Sequence, residues 1–343
     1  MYNIYGSFIK NQYLRGINLN NSIETIYLNS SSNNIINSLY SSSNIHKKVR
    51  QYLYQFLKPG ITLLKIAEII ELKTIELSKN QNTINQGIGF PASLSLNECA
   101  AHFHPEYNST IAFNEDDVLK IDFGVEINGW ITDCAFTVCF NEKYDNLLNA
   151  VKDATNTGIN NASYDVRIGE WSSQIQETME SYEITLNGKT QQIKTISNLG
   201  GHNILNGIIH GEIFLPTVNI DIDSNLKFKE GVYAIETFGS TGSNYAFQNS
   251  ISTLYRLNPN PNIINMDLNV LNFYNNINNR FKTLPFTNRY LQNKDYLDVL
   301  VNNNLIYSYP PLCIEKGSYT AQYEHTIYID ENKKIVFSRG NDY

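Results

Sequence analysis

Asp122, Asp133, His202, Glu236 and Glu324 are the residues of this chain whose types and settings could do chemistry together. Four carboxylates and one imidazole suit a pair of divalent cations. Asp122 and Asp133 flank Asn128-Gly129 in DVLKIDFGVEINGWITDCAFTV, where β-branched and aromatic residues around a turn dipeptide predict a β-hairpin. With Asn128-Gly129 as a two-residue turn, Asp122 faces Ala135, and Asp133 is its diagonal neighbour on the same face, roughly 7–8 Å away. Two carboxylates that close in a partly buried sheet repel each other unless a cation lies between them. On an exposed strand face both would simply be solvated, and the hairpin by itself leaves the two readings open.

The later residues favour the cation. His202 sits in NLGGHNI, where Gly200-Gly201 is expected to let the backbone bend tightly before a short apolar stretch. Glu236 lies in the strand-like run GVYAIETFGSTG, on a face with Val232 and Ala234, and an acid in that company needs a partner. In GSYTAQYEHTIYI, Thr320, Gln322, Glu324 and Thr326 alternate with Tyr319, Ala321, Tyr323 and His325, the period of a half-buried strand. Two divalent cations would neutralise the four acids and lower the pKa of a water held between them. Taken singly, each residue is more often structural than catalytic.

The segments SLNECAAHFHP, KIDFGVEINGWITDCAFTVCFNEKYDNLLNAVKDATNTGI, AIETFGSTG, YPPLC and GSYTAQYEHTI resemble those of a type 2 methionine aminopeptidase. The likeness runs from about Lys47 to the terminal SRGNDY and is weaker between Ser243 and about Ser308. It implies the α/β (α+β) pita-bread fold, two pseudo-symmetric halves around a dinuclear metal centre of manganese, cobalt, iron or zinc. By the resemblance Asp122 and Asp133 bind and bridge the metals, His202 and Glu236 are ligands of one of them, and Glu324 is the second bridging acid. His102 in CAAHFHP and His210 in GIIHGE would contact the substrate, and Phe90, Ile209 and Tyr309 would line its pocket. Glu236 would relay a proton to the leaving amine, while His210, with His202, would hydrogen-bond the developing oxyanion. The chain departs from the family at Leu254, where relatives commonly place a histidine near the pocket, and more mildly at Gly200.

The elements that must position these residues fall into regions. Residues 1–44 are Asn/Ser-rich and carry no motif or charged block, so ribosome tethering through a charged extension is not expected. The catalytic domain is read as 45–343. It opens with two packing helices, in KKVRQYLYQFLKPG and TLLKIAEIIELKTIELSK, separated by Pro59-Gly60. Further helices are expected through NLLNAVKDATNTGINNA and GEWSSQIQETMESYE. Between Glu236 and Glu324 the runs MDLNVLNFYNNINNRF and NKDYLDVLVNNNLI predict an inserted helical subdomain at about 252–308, which marks the type 2 class.

Composition agrees with a folded globular chain: 343 residues with 42% hydrophobic content can bury one or two cores. A net charge of −7 argues against a nucleic-acid partner or a basic membrane patch. Cys99, Cys134, Cys139 and Cys313 have no C-x-x-C spacing and read as free thiols in a reducing compartment, with cytoplasm the default. The start MYNIYGSFIKNQYLRGINLN lacks the apolar core of a signal peptide, and no apolar run approaches the ~20 residues that span a bilayer. The resemblance implies a monomeric aminopeptidase, with ribosome proximity an open question, that removes initiator methionine from nascent chains when the next residue is small. The alternatives are a non-catalytic binding protein on the same fold and another exopeptidase of that fold, such as a proline-specific one.

Overall fold

The structure is a computed structural model and describes residues 32–79, 86–219, 225–249, 251–263 and 266–343; residues 1–31 of the Asn/Ser-rich start lie outside the described residues. Helix α1 (Ser32–Tyr54) begins within that Asn/Ser-rich region, ahead of the Ile45 boundary expected for the packing helices. Its inner face carries Leu39, Ser42, His46, Val49, Arg50 and Leu53, all buried. The polar members of that face are bonded: Ser42 Oγ meets Thr132 Oγ1 at 2.6 Å, and the His46 ring meets the Phe123 carbonyl at 2.9 Å. A turn at Gly60, φ +87°, separates α1 from α2 (Leu63–Ser78), which is capped by Thr62 accepting from the Lys65 N–H.

The first sheet has three antiparallel strands, β1 (Gln86–Leu96), β3 (Leu119–Ile127) and β4 (Trp130–Val138), with β3 in the middle and the short β2 (Cys99–Ala101) between β1 and β3 in sequence. Asn128 and Gly129 both have positive φ, +55° and +83°, as the tight turn between β3 and β4 requires. The register follows from that turn: Asp122 opposes Ala135 and Gly124 opposes Asp133. Helices α1 and α2 cover this sheet.

Helices α3 (Asp145–Asn161) and α4 (Ile168–Glu180) lead into the second half. There β5 (Gly200–Ile204), β6 (Phe214–Pro216), β7 (Gly231–Ser240), β12 (Thr320–Ile329) and β13 (Lys334–Val336) form a sheet ordered β6-β5-β7-β12-β13, with Lys194–Thr195 pairing the end of β7. Each half is thus an antiparallel sheet backed by two helices, and the sheets meet where β4 runs beside β12.

The stretch between β7 and β12 differs from the all-helical insert expected. It holds α5 (Leu268–Phe281) and α6 (Leu297–Asn302), but also a sheet in which β8 (Leu254–Leu257) lies between β9 (Phe286–Thr287) and β10 (Ile306–Tyr309). These strands have two to four residues and pair across long separations, so no periodicity window registers them. The insert has its own apolar core, including Tyr255, Val270, Ile277, Phe281, Phe286 and Leu300. Beyond β10, β11 (Leu312–Cys313) pairs with β2. All four cysteines are free, and no helix among the described residues is long and apolar enough to cross a membrane.

Candidate metal centre and adjoining cavity

Four strands from the two halves bring the acids together. Asp122 comes from β3, Asp133 from β4, Glu236 from β7 and Glu324 from β12, where Glu236 directly opposes Glu324. The N–H and C=O of Glu324 turn away from β7, toward the Tyr343 hydroxyl at 2.6 and 2.9 Å. The Glu236–Glu324 pair is therefore of the non-hydrogen-bonded kind, in which facing side chains approach most closely.

His202 is delivered by β5, opposite Ala234. The Gly200-Gly201 pair that precedes it does not bend the chain as expected. Neither residue has positive φ, and both lie in the strand. Their role is close approach: a Cβ on Gly201 would stand 2.2 Å from the Ala234 carbonyl oxygen, and one on Gly200 would stand 2.4 Å from that of Leu215.

Two overlapping groups result, Asp133–His202–Glu324 and Asp122–Glu236–Glu324, each with ligand atoms within 4.8 Å of one another. Glu324 belongs to both. Glu236 falls in the group with Asp122; its Oε1 accepts from the Gln322 amide at 2.6 Å, and the same amide lies 3.5 Å from Asp122 Oδ2. Gln322 is thus part of the site although it was assigned no role from sequence. Its signal was its place on the Glu324 face of the alternating strand.

The electrostatics are those of a cation site. Asp122 Oδ1, Asp133 Oδ1 and both carboxylate oxygens of Glu324 are buried without a hydrogen-bond partner. Among the described residues the ion-pair contact made by these acids is His202 Nε2 to Asp133 Oδ2, at 3.4 Å. Burial, and then repulsion by neighbouring carboxylates, hold Asp122, Glu236 and Glu324 well above the usual carboxylate range. Buried oxygens left unbonded are costly, and hard divalent cations are the partners that oxygen-rich donors of this kind accept. The donor set fits such ions.

A cavity of about 290 Å³ adjoins the acids, lined by Phe90, His102, His104, Ile209, His210 and Leu254 as well as by Asp122, Asp133, His202 and Glu236. His102 has a left-handed backbone, φ +66°, and burial lowers its pKa to about 4. His210 meets His202 edge-on, with ring centroids 4.4 Å apart, and burial also holds it well below the ordinary imidazole value. Tyr309 adjoins this lining: its ring meets His102 edge-on with centroids 6.0 Å apart, and its backbone pairs with Leu254. His104 is a lining residue not singled out from sequence; its ring contacts the His102 and Pro91 carbonyls at 3.1 and 3.3 Å.

Comparison with known proteins agrees with this geometry. Methionine aminopeptidase 2-1 of Aspergillus flavus is 46% identical over 333 residues, covering 93% of this chain and 74% of that one. Methionine aminopeptidase 2 of Puccinia graminis f. sp. tritici is 45% identical over 313 residues, covering 90% and 68%. Among solved structures the fold is similar to that of a thermophilic Arx1, with TM-score 0.77 at 17% identity over 92% of this chain and 93% of the other. It is also similar to a methionine aminopeptidase from Thermotoga maritima, with TM-score 0.62 at 17% identity over 92% and 100%. These likenesses carry the pita-bread fold. Residues 38–253, which include four of the five converging side chains, match metallopeptidase family M24, and the chain belongs to that family.

Proposed function

We propose that the protein is a type 2 methionine aminopeptidase, which removes the initiator methionine from nascent chains when the next residue is small. The observation that carries this reading is the meeting of four close-set acids, with buried oxygens of Asp122, Asp133 and Glu324 left without a hydrogen-bond partner, and one imidazole with an apolar-walled cavity of about 290 Å³. The names of relatives at 45–46% identity support it, as does the insert between Glu236 and Glu324.

Asp122, Asp133, His202, Glu236 and Glu324 would hold two divalent cations. The chemistry supplied by such a pair is activation of a water and polarisation of the scissile carbonyl. Manganese, iron, cobalt and zinc all suit an oxygen-rich set with one imidazole. The remaining work falls to side chains of this chain. Glu236, steadied by Gln322, relays the proton from the attacking water to the leaving amine. Neutral His210 donates a hydrogen bond to the developing oxyanion without bringing a charge into the cavity. His102, backed by Tyr309, holds the first residue of the substrate. Phe90, Ile209 and Leu254 give apolar walls suited to a straight, polarizable thioether. Leu254 presents only methyl groups where relatives commonly have a histidine, and so shapes which second residues are accepted.

The test is release of methionine from Met-Ala-Ser by chelator-stripped protein, before and after addition of manganese or cobalt. Release that depends on added metal is expected. Folded, metal-loaded protein that releases none would sink the reading, and X-Pro peptides then test a proline-specific activity. In a second experiment, His102→Ala should lower kcat/KM by about a hundred-fold while metal content stays normal, in the range for a group acting on the transition state. Loss of metal instead would recast His102 as a ligand.

A further inference from the structure

Where β4 passes β12, the two halves of the molecule do not join through a backbone ladder. They are stitched by side-chain hydroxyls, each of which donates to the carbonyl and accepts from the N–H of one and the same residue. Thr326 Oγ1 donates to the Asp133 carbonyl at 2.6 Å and accepts from the Asp133 N–H at 2.8 Å. Thr137 Oγ1 treats Gln322 in the same way, at 2.7 and 2.8 Å. Tyr343 Oη, from the end of the chain rather than from β4, grips β12 in the same manner, donating to the Glu324 carbonyl at 2.9 Å and accepting from its N–H at 2.6 Å. Each hydroxyl uses its one proton and one lone pair, so three residues that would otherwise leave backbone groups unmet inside the protein are saturated.

Two features make this more than ordinary satisfaction of polar groups. The residues gripped are Asp133, Glu324 and Gln322: two acids of the cluster and the amide that orients a third, Glu236. A direct ladder would also bring neighbouring strands to about 4.8 Å, whereas an intervening oxygen holds them farther apart while fixing each in register. The hydroxyl partners are themselves held. The N–H and C=O of Thr326 are bonded to Ser338 Oγ at 3.1 Å and the Phe337 N–H at 3.0 Å, and the Tyr343 ring stacks on His325 with centroids 4.2 Å apart.

We propose that Thr326, Tyr343 and Thr137 are positioning residues that set the separation of Asp133 from Glu324, and with it the capacity of the site to take two cations rather than one. This rests on the reading that cations bind between these acids. Thr326→Val keeps the shape of the side chain and loses both hydrogen bonds. Thr326→Ser keeps the hydroxyl. Tyr343→Phe keeps the stack on His325 and loses the grip on Glu324.

The experiment is titration of chelator-stripped full-length protein with Mn2+, read by calorimetry and by the electron paramagnetic resonance signal that distinguishes a coupled manganese pair from isolated ions. The unaltered protein and Thr326→Ser should bind two Mn2+ as a coupled pair. Thr326→Val and Tyr343→Phe should bind the second ion about ten- to a hundred-fold more weakly, the size expected when an outer partner of a ligand is removed, and should show isolated-ion spectra at one equivalent. Ser172→Ala serves as the control, because that buried hydroxyl contacts the Ile168 and Pro216 carbonyls and none of the three gripped residues. Two coupled ions bound with unchanged affinity in Thr326→Val and Tyr343→Phe would overturn the proposal, as would an equal loss in Ser172→Ala. Unaltered protein that takes up no Mn2+ would instead overturn the metal reading, and the seam's role with it.

Discussion

Two groups of buried acids, one in α2 and one at the meeting of the two sheets, are treated differently by the chain. Glu71, in α2, faces Arg289 of the insert; both side chains are 1% exposed, and the guanidinium donates to the two carboxylate oxygens at 2.7 and 2.8 Å. The same carboxylate lies 3.4 Å from the Ala92 N–H, and Arg289 Nε donates to the Pro105 carbonyl at 3.2 Å. That acid is matched in charge and geometry by its own fold. Asp122, Glu236 and Glu324 have no such cation among the described residues, and orphaned oxygens remain. A structural acid is answered from within the chain. A cluster that repels itself and is left unanswered marks a place where the partner comes from outside.

The largest expected break in that contrast is Glu324→Ala, which removes the one acid shared by both ligand groups. Methionine release with manganese or cobalt should fall by about a thousand-fold or more, the upper range for a group acting on the transition state. Metal-stripped Glu324→Ala protein should at the same time unfold at a denaturant concentration no lower than that of the unaltered stripped protein, since a repelling acid has gone. Near-normal turnover in this variant would sink the dinuclear reading.

At the matched site the sign reverses. Arg289→Met leaves Glu71 buried without its guanidinium, and should cost about 3–5 kcal/mol of stability by denaturant unfolding. The double change Glu71→Met with Arg289→Met should recover most of that loss, because replacing both members of a buried pair by apolar residues is often neutral. A single Arg289→Met variant as stable as the parent would show that the pair does not differ from the acid cluster in the way its geometry implies.

How much of this was legible in sequence depends on whether a feature is local. The β3–β4 turn is fixed by Asn128 and Gly129, so the register that opposes Asp122 to Ala135 could be read from a dipeptide. The strands of Glu236 and Glu324 carry a period-two pattern and were equally readable. The start of α1 was not, because its buried face mixes Leu39 and Val49 with Ser42, His46 and Arg50, whose polarity is answered by residues distant in sequence. Gly200-Gly201 invited a bend, while the fold uses them to admit the Leu215 and Ala234 backbones. Gln322 and the hydroxyls of Thr326 and Tyr343 act through space, across elements whose proximity no spacing encodes.

The smallest effect expected is also the one that separates outside compensation from inside compensation most directly, because it needs no mutation. Burial and mutual repulsion raise the pKa of Asp122, Glu236 and Glu324 in the folded, metal-free protein above the ordinary carboxylate value near ~4. Below about that pH the three groups are protonated in both states and contribute no difference. As pH rises from that ordinary value toward the raised folded values, the unfolded chain sheds protons that the fold still holds, so the stripped protein loses stability until the folded acids ionise too. Divalent cations bind only the deprotonated acids, so their contribution grows over the same window. Burial lowers the pKa of His46 and His325, which costs stability as pH falls below about 6.5, but this acts on stripped and loaded protein alike and cancels in their difference. The gain in stability on adding Mn2+ at a hundred times its Kd should therefore be near zero at about pH 4 and approach about 2.7 kcal/mol per bound ion once the acids have ionised. Unfolding curves taken with and without Mn2+ across that range measure it. A gain that is flat with pH would mean that the ion binds elsewhere, and that the acids answer their own charge as Glu71 does.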